Sequence, residues 1–338
     1  MGTMPDELPP AAGVLSMKIA YGDPVSGAGP DRVLGAVLHA EAPMTAADIQ
    51  VAMPALLTSH AGVLEQWCVD GELREGRLGN ARYRCTDKLL FVAISIPEQD
   101  GDIARAAQQA YATLFTVMAG QGFTHLVRCW NYFADINLDQ VSQLGTLERY
   151  RLFNIGRQAA FEAAEHSADV GAPAACALGT REGPLTVYAL ASRSEPRCVE
   201  NPRQISAYRY PERYGPKSPS FSRGSVLTNA NGGHVLFVSG TASIIGHESV
   251  HLGDVVAQTE ESLRNVVTVV AQANLGLGSE VFSSHKLCYK VFVRHQSDAP
   301  VVADTVRRVL GGVTDMVVLR ADVCRAELLV EIEAVGFA

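Results

Sequence analysis

Two rhythms of apolar residues run along the chain. Val256, Leu263, Val266, Val267 and Val270 share one face at helical spacing and predict a helix over residues 254–274. Asp254 suits its N-cap and Asn274-Leu-Gly its stop. Short apolar runs at 235–240, 288–293, 316–323 and 328–335 predict strands, and 301–310 predicts a second helix. The last two strands read as a hairpin. The first half repeats this order, with a helix at 103–120, a strand at 126–133, a helix at 155–165 and strands at 174–178 and 185–191. Residues 114–119 match 266–271 in chemistry. The pattern predicts an α+β unit of β-hairpin, helix, strand, helix and strand pair, used twice and joined around 192–208. The divisions expected are a flexible N-terminus over 1–14, a first domain over 15–200 and a second over 201–338.

The closing strand carries two carboxylates. Alternation puts Glu331 and Glu333 on one face and Val330 and Ile332 on the other. Glutamates on a strand ordinarily face water, and that reading stands beside one in which either lines a pocket. The matching strand of the first copy has Thr186 where the second has Glu331. The carboxylate is thus not needed to build the strand, which favours a functional role for Glu331.

Bulk composition narrows the classes. The 338 residues suffice for two domains, and 47% hydrophobic with 19% charged residues is an ordinary soluble balance. No apolar run has the length of a membrane span, and the polar, Pro-rich start lacks signal-peptide features. Seven cysteines (68, 85, 129, 176, 198, 288 and 324) without C-x-x-C spacing argue against a disulfide framework or a zinc site, and for a reducing cytoplasm. A net charge of -8 argues against nucleic acid. His247, Glu248 and His251 do not have zincin spacing, and no glycine-rich nucleotide loop occurs. Against the acidic balance, residues 193–223 hold seven basic and three acidic residues interleaved with Tyr208, Tyr210 and Tyr214. The stretch reads either as a solvated linker or as an anion-binding wall, since the arginine fork fits carboxylates.

Gly253-Asp-Val-Val-Ala-Gln-Thr-Glu-Glu-Ser-Leu263, Tyr214-Gly-Pro-Lys-Ser-Pro-Ser-Phe-Ser222 and Val330-Glu-Ile-Glu-Ala334 together resemble the Rid (YjgF-like) superfamily of single-domain trimeric enamine/imine deaminases. The doubled length, Asn154-Ile-Gly-Arg157, the Arg/Tyr-rich run 206–223 and Val238-Ser-Gly-Thr-Ala-Ser243 resemble the chorismatase family, over almost the whole chain from about residue 15. The resemblance implies a tandem duplication of a Rid/YjgF-like (chorismate-mutase-like) domain, with mixed β-sheets packed with helices on one face. The site would lie in the C-terminal half at the domain junction, with a degenerate first copy completing its walls. It also implies cleavage of the enolpyruvyl ether of chorismate with release of pyruvate, without cofactor or metal, by a monomer that imitates an oligomer or by a homotrimer.

An enol ether is activated by protonating its terminal methylene carbon, which requires a placed acid. Glu331, desolvated on a rigid strand, suits that role, and Glu333 reads as structural. For the substrate dianion, Arg223 with Tyr210 would hold one carboxylate and Arg157, at a helix start, the other. Tyr214 belongs to the same wall. Arg157 and Tyr210 also read as plain surface or interface residues, and Arg149 and Arg151 are weaker anchors. Cys324, across the final hairpin from Glu331, and Gly240, leaving room near the ring, bear on the product. In the family this pair resembles the subtype that forms 3-hydroxybenzoate, in which the substrate's own hydroxyl attacks. The alternatives are the hydrolytic subtype giving 3,4-dihydroxycyclohexa-1,5-dienoate, a Rid-type deaminase, for which only Arg320 is offered and out of register, and a non-catalytic binder of aromatic or keto acids.

Overall fold

Apolar stripes at helical spacing need a sheet to lie against, and the chain supplies one sheet for each pair of helices. The computed structural model describes residues 15–21, 33–41, 47–142, 145–166, 171–229, 231–312 and 315–338. The expected flexible stretch 1–14 lies outside them. Five strands come first: β1 (Ser16–Tyr21), β2 (Val33–Ala40), β3 (Ile49–Val51), β4 (Ala55–Leu56) and β5 (Gly62–Cys68). The first copy follows as β6 (Arg74–Leu78), β7 (Ala81–Cys85), β8 (Leu89–Ile96), α1 (Ile103–Gln121) and β9 (His125–Ala134). A small hairpin, β10 (Asp139–Ser142) and β11 (Gly145–Glu148), leads into α2 (Arg149–Ala163), β12 (Ala174–Thr180) and β13 (Leu185–Ser192). The second copy runs β14 (Arg197–Val199), β15 (Gly224–Thr228), β16 (His234–Ala242), the short pair β17 (Ile244–Ile245) and β18 (Glu248–Ser249), α3 (Val255–Leu277) and β19 (Cys288–Val293). It ends with α4 (Ala299–Val309), β20 (Met316–Arg320), β21 (Asp322–Val323) and β22 (Val330–Phe337).

The duplication is explicit in the strand order, β21-β12-β9-β13-β8-β7-β6 in one sheet and β4-β20-β19-β22-β16-β15-β14 in the other. In both copies a hairpin leads through a helix to a strand, and a second helix crosses to a parallel neighbour. The last strand then slots between the second hairpin strand and the strand that follows the first helix, antiparallel to both. Each sheet is completed by a strand from outside its own copy: β4 pairs with β20, and β21 pairs with β12.

This order corrects the terminal hairpin expected from sequence. β20 and β22 never pair, because β19 lies between them, parallel to one and antiparallel to the other. Residues 15–68 hold a further sheet, β1-β5-β2-β3, that the sequence pattern did not suggest. Helices α1 and α2 cover one face of the first sheet and α3 and α4 one face of the second. The remaining faces of all three sheets meet in a shared core around Trp67, Trp130, Tyr188, Phe237 and Phe292. No helix among the described residues is long and apolar enough to cross a membrane. All seven cysteines are free.

Helix α2 starts at Arg149, six residues before the expected 155. Tertiary contacts, which no local periodicity encodes, set that start: the free N–H groups of Arg149 and Tyr150 donate to the carbonyls of Leu138 and Ile136 at 2.9 and 3.0 Å. Arg157 is therefore mid-helix rather than at a helix start. The adjacent Gly156 lets α2 approach α1, since a Cβ there would overlap the Ala104 carbonyl oxygen and come within 2.7 Å of its carbon. Gly156→Ala is expected to destabilise the protein by about 1–3 kcal/mol through overpacking. The check is a lower urea midpoint at unchanged m-value; an unmoved midpoint would show that the helices part freely.

Candidate active site

β22 is the central strand of its sheet, so both of its faces are covered. Val330, Ile332 and Ala334 enter the helix-side core, and Glu331 and Glu333 point the other way, between the sheets. Neither glutamate faces water: they are 4% and 2% exposed. The register supports the comparison drawn from sequence. Glu331 pairs with Phe292 as Thr186 pairs with Tyr132, and Leu319 and Leu178 complete the two rows. By the same register Tyr188 occupies the place of Glu333.

Glu331 lines a cavity of about 40 Å³ at the junction of the two copies. From the second copy come Gly240, Cys324 and Phe221, and from the first Tyr150, Asn154, Arg157 and Cys176. A larger hollow of about 730 Å³ opens at the opposite end of β16, beside Leu15, and holds none of the candidate residues.

Among the described residues the Glu331 carboxyl has no ion-pair or hydrogen-bond partner. Burial, and then the negative charge of Glu333, raise its pKa to about 8, with Arg128 opposing. Glu333 is the contrary case. Burial pushes it up, but Lys290 and Arg128 outweigh that and hold it below the usual carboxylate range. Arg128 donates to one of its oxygens, and Lys290 Nζ and Trp130 Nε1 reach the other at 2.6 and 2.9 Å. Lys290 also bridges to Glu65 at 2.7 Å, and Glu65 accepts from Trp67 Nε1 at 2.7 Å. Against its own burial, Lys290 and His39 hold Glu65 down at about 2. Two carboxylates on one strand are thus held in opposite protonation states.

The cavity wall holds donors without acceptors. Arg157 lies over the Tyr111 and Phe161 rings and gives Nη1 to the Ser220 carbonyl at 2.6 Å. Among the described residues its Nε and Nη2 have no well-aligned acceptor, although the Tyr111 hydroxyl and the Cys129 thiol lie beside it, and Asn154 Nδ2, beside the Tyr150 hydroxyl, is in the same position. Orphan donors on a buried guanidinium call for an acceptor, and an anionic substrate would supply one. Arg223 gives Nη2 to the Tyr210 hydroxyl at 2.8 Å and to the Ile205 carbonyl at 2.7 Å, leaving Nε buried and free. It lies behind the cavity-lining Phe221, 5.2 Å from the ring centre. Tyr214 is farther out, its hydroxyl on the His247 carbonyl at 2.7 Å.

The structure therefore brings Glu331, Cys324, Arg157 and Gly240 to one cavity, with Arg223 and Tyr210 behind its wall. Arg149 is spent on Glu98 at 2.6 Å and does not reach the site. His247 is bound to Arg213 and Tyr214, and the described residues contain no cluster able to hold a metal.

Two positions work differently from expectation. Cys324 does not face Glu331 across a hairpin; β21, pairing with β12 of the first copy, carries it in, and Arg294 fixes the loop by donating to the carbonyls of Val323, Arg325 and Leu328. Burial, then Glu331, raise its thiol to about 12, so it stays protonated. Gly240 leaves room, but for the acid itself: a Cβ there would overlap Glu331 Oε1 and come within 2.9 Å of Cys176 Cβ. Sequence reasoning missed Tyr150, although its flanking arginines had been noticed, and Arg325, which stacks 4.1 Å from the Tyr214 ring centre and 5.5 Å from that of Tyr210.

A family model described as chorismatase FkbO/Hyg5-like, N-terminal, matches residues 65–191. The chain is similar to a 3-hydroxybenzoate synthase from Streptomyces hygroscopicus, 39% identical over 279 residues that cover 80% of each chain. It is 38% identical over 280 residues to a chorismatase from Streptomyces rapamycinicus, covering 80% of this chain and 81% of the other. A solved chorismatase crystal structure matches with a TM-score of 0.84 at 29% identity, over 96% of this chain and 99% of that one.

Proposed function

The chain belongs to the chorismatase family, and from that premise we propose that it cleaves chorismate to pyruvate and 3-hydroxybenzoate, with Glu331 as the proton donor. The observation that carries this reading is a buried carboxyl, without ion-pair partner among the described residues and raised to about 8 by burial and Glu333, facing a cavity lined by the Arg157 guanidinium.

Chorismate is a dianion. Arg157 meets one carboxylate with its free Nε and Nη2 and Arg223 the other through Nε, with Tyr210 beside it. Glu331 gives its proton to the terminal methylene carbon of the enolpyruvyl group, and positive charge develops on the ether-bearing carbon. The carboxylate left behind is buried next to that charge and stabilises it. The neighbouring ring hydroxyl then attacks the ring carbon that bears the ether, the bond between that carbon and the ether oxygen breaks, and its electron pair stays with the oxygen to become the carbonyl of the departing pyruvate. The hydroxyl proton returns to Glu331. The resulting arene oxide is an isomer of hydroxybenzoate, so no further atom is needed to reach the aromatic product. Cys324, a neutral thiol beside the acid, is a weak hydrogen-bond donor to the migrating oxygen rather than a nucleophile. A 40 Å³ cavity is far below the about 300 Å³ of small-ligand sites. Binding therefore requires the cavity to widen.

Two experiments test the reading. A lactate dehydrogenase-coupled assay is expected to show pyruvate release from chorismate, and none would overturn it. Gly240→Ala displaces the Glu331 carboxyl, because β12 behind it cannot yield as a side-chain tip can. It is expected to lower kcat/KM about tenfold by misplacing the acid and to raise the share of ring products other than 3-hydroxybenzoate on chromatography. An unaltered product spectrum would remove Gly240 from product choice.

A further inference from the structure

The proposed reaction leaves Glu333 without a task, yet its surroundings are the most elaborate in the core. It follows Glu331 by two residues, shares its face of β22 and is held by Arg128, Lys290 and the Trp130 indole. The cluster contains two cations, Arg128 and Lys290, and two anions, Glu65 and Glu333, while His39 is kept neutral by burial. It balances with the proton on Glu331. An ionised Glu331 would be a third buried anion with no cation left to pair with it. The first copy lacks both carboxylates, with Thr186 and Tyr188 at the equivalent register positions. The pair is confined to the copy that carries the acid, so neither member is needed to build the fold's central strand.

We propose that Glu333 is a positioning residue for the reaction, an anion fixed by Arg128 and Lys290 that opposes ionisation of Glu331 and so keeps the proton where the substrate needs it. The inference rests on Glu331 being the donor. No other group facing the pair replaces that charge. Tyr132, Tyr188 and Cys176, from β9, β13 and β12, are held neutral by burial, as are Tyr150 from α2 and Cys324. Arg128 from β9 and Lys290 from β19 act in the opposite sense, and Glu65 and His39, from β5 and β2, are tied to Lys290 and to each other. Arg325 is engaged by the His247 carbonyl and the Ser249 hydroxyl.

The test is the pH profile of kcat/KM for chorismate between pH 6 and 10, in the full chain carrying Glu333→Gln. Without the neighbouring anion Glu331 ionises more readily, so the alkaline limb is expected to move down by about one pH unit. Should Glu333→Gln alone fold poorly, E333Q/R128M removes one charge of each sign while keeping the Lys290–Glu65 pair, and it carries the same direction with a smaller shift, because Arg128 opposes Glu333 at Glu331. Infrared difference spectra against Glu331→Gln follow the protonated carboxyl band of Glu331 without turnover, and that band should vanish at lower pH in the variants. A limb and a band that stay at the wild-type pH overturn the role of Glu333 while leaving Glu331 as the acid. Absence of the protonated band from the wild type at pH 6 to 7 overturns the reading on which it rests.

Discussion

Glu331→Gln is expected to stop pyruvate release and at the same time make the protein harder to unfold at pH 7. Removing the proposed acid should lower the rate about 10²–10⁴-fold, the ordinary contribution of general acid catalysis. The stability gain follows from linkage. Burial and then Glu333 raise Glu331 from 4.5 to about 8, so the folded chain binds this proton more tightly than the unfolded one. Stability from this group is therefore full below pH 4.5 and falls as pH rises, until the folded chain also loses the proton near pH 8. At pH 7 the loss spans two and a half units at about 1.4 kcal/mol each, or about 3.5 kcal/mol. Glutamine keeps the shape without the titration. Urea midpoints at pH 5 and pH 7 should show the variant gaining most at pH 7, the trade between activity and stability common at catalytic sites. A stability difference independent of pH would mean that Glu331 does not retain its proton.

Lys290→Met is expected to cost about 3–5 kcal/mol at pH 7, because it leaves a buried carboxylate without its cation. Lys290 touches Glu65 at 2.7 Å and Glu333 at 2.6 Å and is itself 3% exposed. Arg128 serves Glu333 alone, and burial opposes the charged form of His39, so Glu65 loses its one fixed cation when Lys290 is removed. The sign with pH is the reverse of that for Glu331. Glu65 lies at about 2 in the folded chain, so the stability it contributes is present above 4.5 and fades as pH falls toward 2. The gap between wild type and variant should narrow over that range. Equal urea midpoints at pH 7 would mean that the ion network does not hold the three sheets together.

The copy-to-copy comparison was legible because it needs only order and local pattern. α3 begins one residue after its expected cap at Asp254, and β19 lies at its expected residues. Thr186 and Glu331 proved to be partners of equivalent residues. What sequence could not show is which strand inserts between which. The final hairpin failed for that reason, since β22 takes the central slot and β19 divides it from β20. The sheet of β1, β2, β3 and β5 has no second copy to betray it, and nothing in its local pattern marks His39 and Glu65 as the partners that Lys290 finds there. Glu333 was read as merely structural for the same reason: residues 128, 290 and 65 are far apart in the chain and meet only where the sheets face one another. Gly240 showed that space was needed, but not that the Glu331 carboxyl fills it.

The central claim is carbon protonation of chorismate from Glu331, and deuterium reports it directly. The protein is incubated with chorismate in D₂O, with lactate dehydrogenase and NADH present to trap pyruvate as lactate when it forms. The prediction is one equivalent of lactate carrying a single deuterium on its methyl group, alongside one equivalent of 3-hydroxybenzoate. Lactate with an unlabelled methyl, none at all, or the same labelled lactate formed at the same rate by Glu331→Gln would contradict it.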